Sequence, residues 1–303
     1  MKTMNIRKIL VPVDFSNSSI NALHVAAAIA KRHQAEIHLL YVDDCDFGLF
    51  KEDKNLHPPR VTDYMKMLAR LAKTVINDSG VLCNYSSEMG SVTYSILKTA
   101  INRYVDLIIM GKNGNNGPSE EYAGTHVLQV AEKSRIPLIV VPESTTKYSF
   151  ENILFPVRPL LSVPAKYDAI RPFLLKSNPR LTVLNLRNPD YENELHIIHR
   201  LGILMKEKLE ADKLTYSIEH YFQDAAFAGY VLKMMNEDEK KFDLAVITAE
   251  IEQSNKDFHI GNYARKLIHQ CNIPILVMRP EDAKQDKDKV LHHLDREMQL
   301  QLN

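Results

Sequence analysis

Residues 106–142 read DLIIMGKNGNNGPSEEYAGTHVLQVAEKSRIPLIVVP. The stretch opens on the apolar run 107–110, short enough for a buried strand. A glycine-rich loop follows at once: Gly111, two residues, Gly114, nine residues, Gly124, then Thr125. A helical stretch comes next, then Pro137 and a second apolar run, 138–141. Strand, glycine loop and helix in this order bring backbone N–H groups and a helix N-terminus around an anion. Glycine suits that arrangement because a phosphate oxygen comes closest to the backbone where no Cβ intervenes. Thr125 is placed either to cap the helix or to donate its hydroxyl to a phosphate. Each feature taken singly also fits an ordinary βα turn. Lys112, beside the first glycine, reads as a solvated lysine rather than a phosphate ligand.

Upstream of this stretch, short apolar runs alternate with helical patterns. Residues 8–14 (KILVPVD), 36–42 (EIHLLYV) and 82–88 are expected strands. Residues 61–79 and 91–103 are expected helices, as is a segment capped by Ser16 or Asn17. The polar segment 43–60, with Pro58 and Pro59, reads as a loop. Strands alternating with helices predict a parallel sheet covered on both faces.

After a polar joint, 143–149, the pattern restarts. Residues 152–158 (NILFPVR) echo KILVPVD, and 243–248 (DLAVIT) echo DLIIMG. Between and beyond them, 164–176, 191–212, 225–241 and 261–270 read as helices, and 181–186, 215–222 and 274–278 as strands. Asp106, Gly124 and Pro137 recur as Asp243, Gly261 and Pro274, each at an offset of 137 residues. A constant offset signals duplication. The expected organisation is a first domain over 1–146, a second over 147–281, and a charged helical tail over 282–303. Val290, Leu291, Leu294, Met298 and Leu302 place an apolar stripe on that tail.

The chain of 303 residues is 45% hydrophobic and 25% charged, an ordinary globular composition. Lys+Arg and Asp+Glu both number 38, which argues against a dedicated nucleic-acid binder. Cys45, Cys83 and Cys271 are odd in number and far apart, so a reducing cytoplasm is expected rather than a disulfide framework. No signal peptide is expected at the start, and no apolar run approaches the roughly 20 residues of a membrane span.

The pattern Gly-x2-Gly-x9-Gly-Thr after a strand, at Gly111, Gly114, Gly124 and Thr125, resembles the nucleotide loop of the universal stress proteins. With its recurrence, the chain resembles a tandem universal stress protein. The resemblance implies two Rossmann-like domains, each a five-stranded parallel sheet in the order 3-2-1-4-5 between helical layers. It implies an adenine site at Pro12, Asp14 and the backbone of Val42. It implies ribose and phosphate contacts at Met110, Gly111, Gly114, Gly124 and Thr125. The implied ligand is ATP, with magnesium able to bridge its phosphates. The last strands of the two halves are expected to pair within the chain as a pseudo-dimer, with pairing between chains as the other arrangement.

Taken alone, Asp14 reads as a turn former and Val42 as core. The second half departs from the pattern: Arg158 stands for Asp14, Thr248 for Gly111, Ile251 for Gly114 and Asn262 for Thr125. A β-branched Ile does not readily adopt glycine-like backbone angles. This half reads as a structural partner or as a site for something else. His259-Ile260-Gly261-Asn262 looks like a tRNA-synthetase signature but stands before the wrong helix. His196 with His199, and His292 with His293, lack a placed third ligand and read as surface pairs. The expected function is adenine-nucleotide binding by a stress-response sensor or regulator, with at most slow hydrolysis. The alternatives are an interaction scaffold without nucleotide, and a nucleotide-dependent hydrolase or transferase of related fold.

Overall fold

The computed structural model describes residues 4–44, 61–113, 124–158, 163–187, 192–222, 227–236, 242–249, 251–254 and 257–279. The tail 282–303 and Gly114 lie outside them.

The first half runs β1 (Lys8–Pro12), α1 (Asn17–His33), β2 (Glu36–Asp43), α2 (Val61–Ser79), β3 (Cys83–Met89), α3 (Val92–Asn102), β4 (Leu107–Gly111), α4 (Thr125–Lys133) and β5 (Leu138–Val141). The second runs β6 (Asn152–Val157), α5 (Val163–Ser177), β7 (Arg180–Arg187), α6 (Glu192–Ala211), β8 (Thr215–Phe222), α7 (Phe227–Asn236) and β9 (Leu244–Thr248). It continues through a hairpin, β10 (Ile251–Ser254) and β11 (Asp257–Ile260), to α8 (Asn262–Gln270) and β12 (Ile275–Met278). The elements fall close to the sequence expectation. The hairpin is the exception: the loop after β9 forms two antiparallel strands that the sequence reading did not anticipate.

Ten strands form one sheet in the order β3-β2-β1-β4-β5-β12-β9-β6-β7-β8. Each half therefore has the order 3-2-1-4-5, all parallel, and the halves meet antiparallel through β5 and β12, with Leu276 opposite Ile139. The reason for continuous apolar strands is burial on both faces. Along β4, Leu107 and Ile109 enter one core while Ile108 and Met110 enter the other. The first core lies under α1, α2, α5 and α6; the second lies under α3, α4, α7 and α8. Both run through the two halves.

The duplication extends to hydrogen bonds. Asp106 Oδ2 accepts from the N–H groups of Arg7 and Lys8 at 3.0 and 3.2 Å. Asp243 Oδ2 accepts from those of Glu151 and Asn152 at 3.1 and 2.9 Å. Each carboxylate clamps the entry of the first strand of its half beside the fourth. α1 ends on Gln34 in the left-handed region (φ 55°), and α5 is followed by Asn178 (φ 45°), 144 residues on, the offset that also relates Arg7 to Glu151 and Lys8 to Asn152.

The joint at 143–149 is docked on both sides. Asn17 Nδ2 donates to Glu143 Oε1 at 2.7 Å, and Asn21 Nδ2 to the Glu143 carbonyl at 2.7 Å. Ser144 Oγ donates to the Asn272 carbonyl at 3.0 Å, and Lys147 Nζ to Asp243 Oδ1 at 3.0 Å. Cleavage needs a segment to detach and extend, so limited proteolysis at this joint is expected to be slow. Rapid nicking into two independently stable halves, seen on a denaturing gel and in separate melting curves, would contradict the docking.

His33, at the end of α1, and His38, on β2, are both buried. Burial disfavours the imidazolium and lowers both pKa values to about 4, helped by Lys176 and Arg32 around His33 and by Arg103 near His38. Between pH 6.5 and about 4 the unfolded chain thus binds more protons than the folded one. Stability is expected to be full above pH 6.5 and to fall as the pH drops toward 4, by on the order of 2–3 kcal/mol per histidine. Urea midpoints at pH 7 and pH 5 test this. His38→Gln should flatten the difference, and equal slopes for the parent and that variant would rule out His38 as a source.

Candidate functional site

β1 is the strand at which the order reverses, with β2 on one side and β4 on the other. β1 keeps register with β2 through Pro12, and β4 with β5 through Gly111. Between β1 and β4 the register holds only at Ile9–Leu107 and Leu10–Ile108. Beyond those pairs no further register joins the described residues of the two strands, at the carboxyl ends where open α/β sheets have their ligand crevice.

Pro12, Val13 and Asp14 line the β1 side of this crevice. Asp14 Oδ1 accepts from the N–H of Ser16 at 3.0 Å and from its hydroxyl at 2.5 Å. Ser16, not Asn17, is the N-cap of α1, and its side chain accepts from the N–H of Ser19. Between Asp14 and Ser16, Phe15 holds φ at 64°, an uncommon conformation for a bulky residue. Its ring lies 5.6 Å from that of Tyr41 and 6.2 Å from that of Tyr64, and the two tyrosines stack at 4.2 Å. These contacts hold Phe15 in place and build an aromatic cluster beside the crevice that the sequence did not reveal.

On the other side, Gly111 ends β4. A Cβ built there would lie 2.5 Å from Ser18 Oγ and 2.7 Å from the Ser18 carbonyl carbon and the Ser19 nitrogen. The first turn of α1 therefore packs directly on this residue, and close packing alone demands a glycine. Ser18 Oγ also donates to the Asn113 carbonyl, so α1 and the start of the loop are joined. Gly124 closes the loop: its N–H donates to the Lys112 carbonyl at 2.9 Å. Gly124 is the N-cap of α4, with no side-chain cap bond, and Thr125 is the first helical residue. The capping role considered for Thr125 thus falls to glycine, and its exposed side chain stands at the N-terminus of α4. Met110 is buried and Val42 half-buried in the same core cluster, which leaves their backbones for contact with a ligand.

Lys112 is not solvated. It is 4% exposed, and its Nζ donates to the carbonyl of Cys271, the C-cap of α8, at 3.1 Å. Burial lowers its pKa. Among the described residues no group of three or more His, Cys, Asp or Glu is disposed to hold a metal, and no helix is long and apolar enough to cross a membrane.

The universal stress protein family model matches residues 5–142. The universal stress protein A homolog of Haemophilus influenzae is 32% identical over 142 residues, which cover 96% of that protein and 45% of this chain. The chain belongs to the universal stress protein family. A universal stress protein of Methanocaldococcus jannaschii is 28% identical over 138 residues, 81% of its length. A universal stress protein structure from Archaeoglobus fulgidus covers 91% of this chain and 98% of its own, at 14% identity and a TM-score of 0.66. A functionally unknown protein from Pseudomonas aeruginosa covers 97% of each at 15% identity and a TM-score of 0.64. Those structural likenesses show the fold, and they show it across both halves.

Within this universal stress protein the second crevice is built differently. Register between β6 and β9 likewise stops after two pairs, Ile153–Leu244 and Leu154–Ala245. Lys166, 2% exposed, fills the parting strands from α5: its Nζ donates to the Pro156 carbonyl at 2.7 Å and the Val246 carbonyl at 3.4 Å. The ammonium also lies 3.8 Å from the centre of the Phe155 ring. At an offset of 144, the first half has Ala22 in that place. Arg158, where the first half has Asp14, stacks its guanidinium 4.2 Å from the Tyr263 ring. The β10–β11 hairpin occupies the chain between β9 and α8, where the first half has its glycine loop.

Proposed function

We propose that the protein binds ATP in the crevice between β1 and β4 and acts as a sensor or regulator in a stress response. The observation that carries the reading is the end of β1–β4 register after Leu10 and Ile108, beside a loop whose ends are joined by Gly124 at the N-terminus of α4. Backbone N–H groups and a helix N-terminus favour an anion there. Asp14 and the backbone of Val42 would meet the adenine. Met110, Gly111, Gly114, Gly124 and Thr125 would meet ribose and phosphates, with Pro12 shaping the crevice floor. Magnesium would ride on the phosphates. These groups bind and orient, and none is staged to take a proton from water, so hydrolysis is expected to be slow.

A scaffold without nucleotide is the second reading, favoured by two observations. Asp14 is already engaged by Ser16, and Gly111 is explained by α1 packing. Mass analysis of small molecules released from the purified, denatured protein, with calorimetric titration of ATP, separates the two. Bound adenine nucleotide or a saturable titration supports the first reading. Empty protein that does not titrate supports the scaffold.

A further inference from the structure

The base of the glycine loop is held from the other half of the molecule. Lys112 is the clasp. Its N–H donates to the Val141 carbonyl at 2.7 Å, its carbonyl accepts from the Gly124 N–H at 2.9 Å, and its ammonium donates to the Cys271 carbonyl at 3.1 Å. The first bond carries the β4–β5 ladder one residue past Gly111, and the second joins the two ends of the loop. The third ties that closure to the C-terminal end of α8, where the helix dipole favours a cation. At the same place in the second half, Ala249 repeats only the backbone bond, its N–H donating to the Met278 carbonyl at 2.8 Å. The ammonium clasp is therefore one-sided, and it serves the half that keeps the glycine loop.

A second tie holds the far side of the loop. Glu132, on α4, accepts at Oε1 from the Ile260 N–H at 3.1 Å and from Arg265 Nη2 at 3.0 Å, and its carbonyl accepts from Arg279. All three donors belong to the second half. Both flanks of the loop, Lys112 before it and α4 after it, are thus fixed to α8 and its surroundings.

We propose that Lys112 is a positioning residue, through which the second half holds the two described ends of the glycine loop, Lys112 and Gly124, together at the N-terminus of α4, where the nucleotide reading puts a phosphate. The inference rests on the nucleotide reading above. A buried lysine that only filled space would not need its acceptor in another domain, nor would its own carbonyl be the one that closes the loop.

The test compares the full-length parent with Lys112→Met, which keeps the stem and removes the cationic donor. Hydrogen exchange is read by mass spectrometry without nucleotide, and ATP affinity by calorimetry. Ile170→Val, buried in the second half away from the loop, controls for general destabilisation. Lys112→Met is expected to exchange at least tenfold faster over residues 124–128, with the rest of the chain near parent rates, and to bind ATP at least fivefold more weakly. Uniformly faster exchange, matching the control, would overturn the proposal, as would local loosening with unchanged affinity. If the parent binds no ATP, the nucleotide reading fails. The clasp itself is then judged by exchange alone: local loosening supports it, and parent rates refute it. Should Lys112→Met not fold, Glu132→Ala carries the same comparison.

Discussion

Gly111→Ala is expected to destabilise the protein by about 2–4 kcal/mol, whereas Gly124→Ala should leave stability within about 0.5 kcal/mol of the parent. Both residues belong to one glycine pattern, and sequence gives no reason to separate them. The structure does. The methyl group at Gly111 would meet backbone atoms of Ser18 and Ser19 at 2.7 Å, and backbone at the first turn of a packed helix has little room to retreat. At Gly124 the nearest atom is the Lys112 carbonyl oxygen at 3.6 Å, an ordinary contact, and the φ of −59° suits any residue. If the reading is right, the variants divide in function as well. Gly124→Ala is expected to keep the fold and to lose nucleotide affinity, since a methyl group there hinders the close approach of a phosphate to the backbone. Denaturant midpoints with calorimetry on the same samples decide it. A Gly111→Ala variant as stable as the parent would remove the packing argument, and the residue would then be explained by ligand approach alone.

The glycine pair shows what local sequence carries and what it does not. Strands such as β4 and β5 were legible because a strand buried on both faces has to be a continuous apolar run, whatever lies around it. Helix α2 was legible from its apolar periodicity over residues 61–79. The duplicated Asp106 and Asp243 were visible as an offset. Their work, clamping two backbone N–H groups at the entry of each first strand, needed the partner strand to be placed. Lys112 misled because burial of a lysine depends on an acceptor 159 residues away, and no neighbour in sequence announces it. The β10–β11 hairpin had a signal in residues 251–260 (IEQSNKDFHI), whose Ser, Asn and Asp are residue types that favour turns between strand-compatible ends. Of the candidate site, Pro12, Asp14, Val42, Met110, Gly111, Gly124 and Thr125 come from the three strand ends and the helix start that frame one crevice.

Titration of the parent with ATP is expected to give one nucleotide per chain. The argument is a comparison of two crevices made by the same topology. In the first, β1 and β4 part beside a small residue, Ala22, and a glycine loop. In the second, the corresponding opening is filled by the protein's own ammonium. Lys166 satisfies the Pro156 and Val246 carbonyls, which the parting strands would otherwise leave buried without partners. Removing such a donor is costly, since each orphaned carbonyl costs about 1–3 kcal/mol. Arg158 is stacked on Tyr263, and the hairpin replaces the loop that would wrap phosphates. A second nucleotide would have to displace these contacts before gaining its own. Gly114→Ile, which copies the second half's residue into the first loop, is therefore expected to weaken ATP binding several-fold or more. Gly261→Ile should leave affinity nearly unchanged where the variant folds and keeps α8 in place, because Ile260 and Arg265 beside it hold Glu132. Two equivalent sites in the parent would defeat the asymmetry.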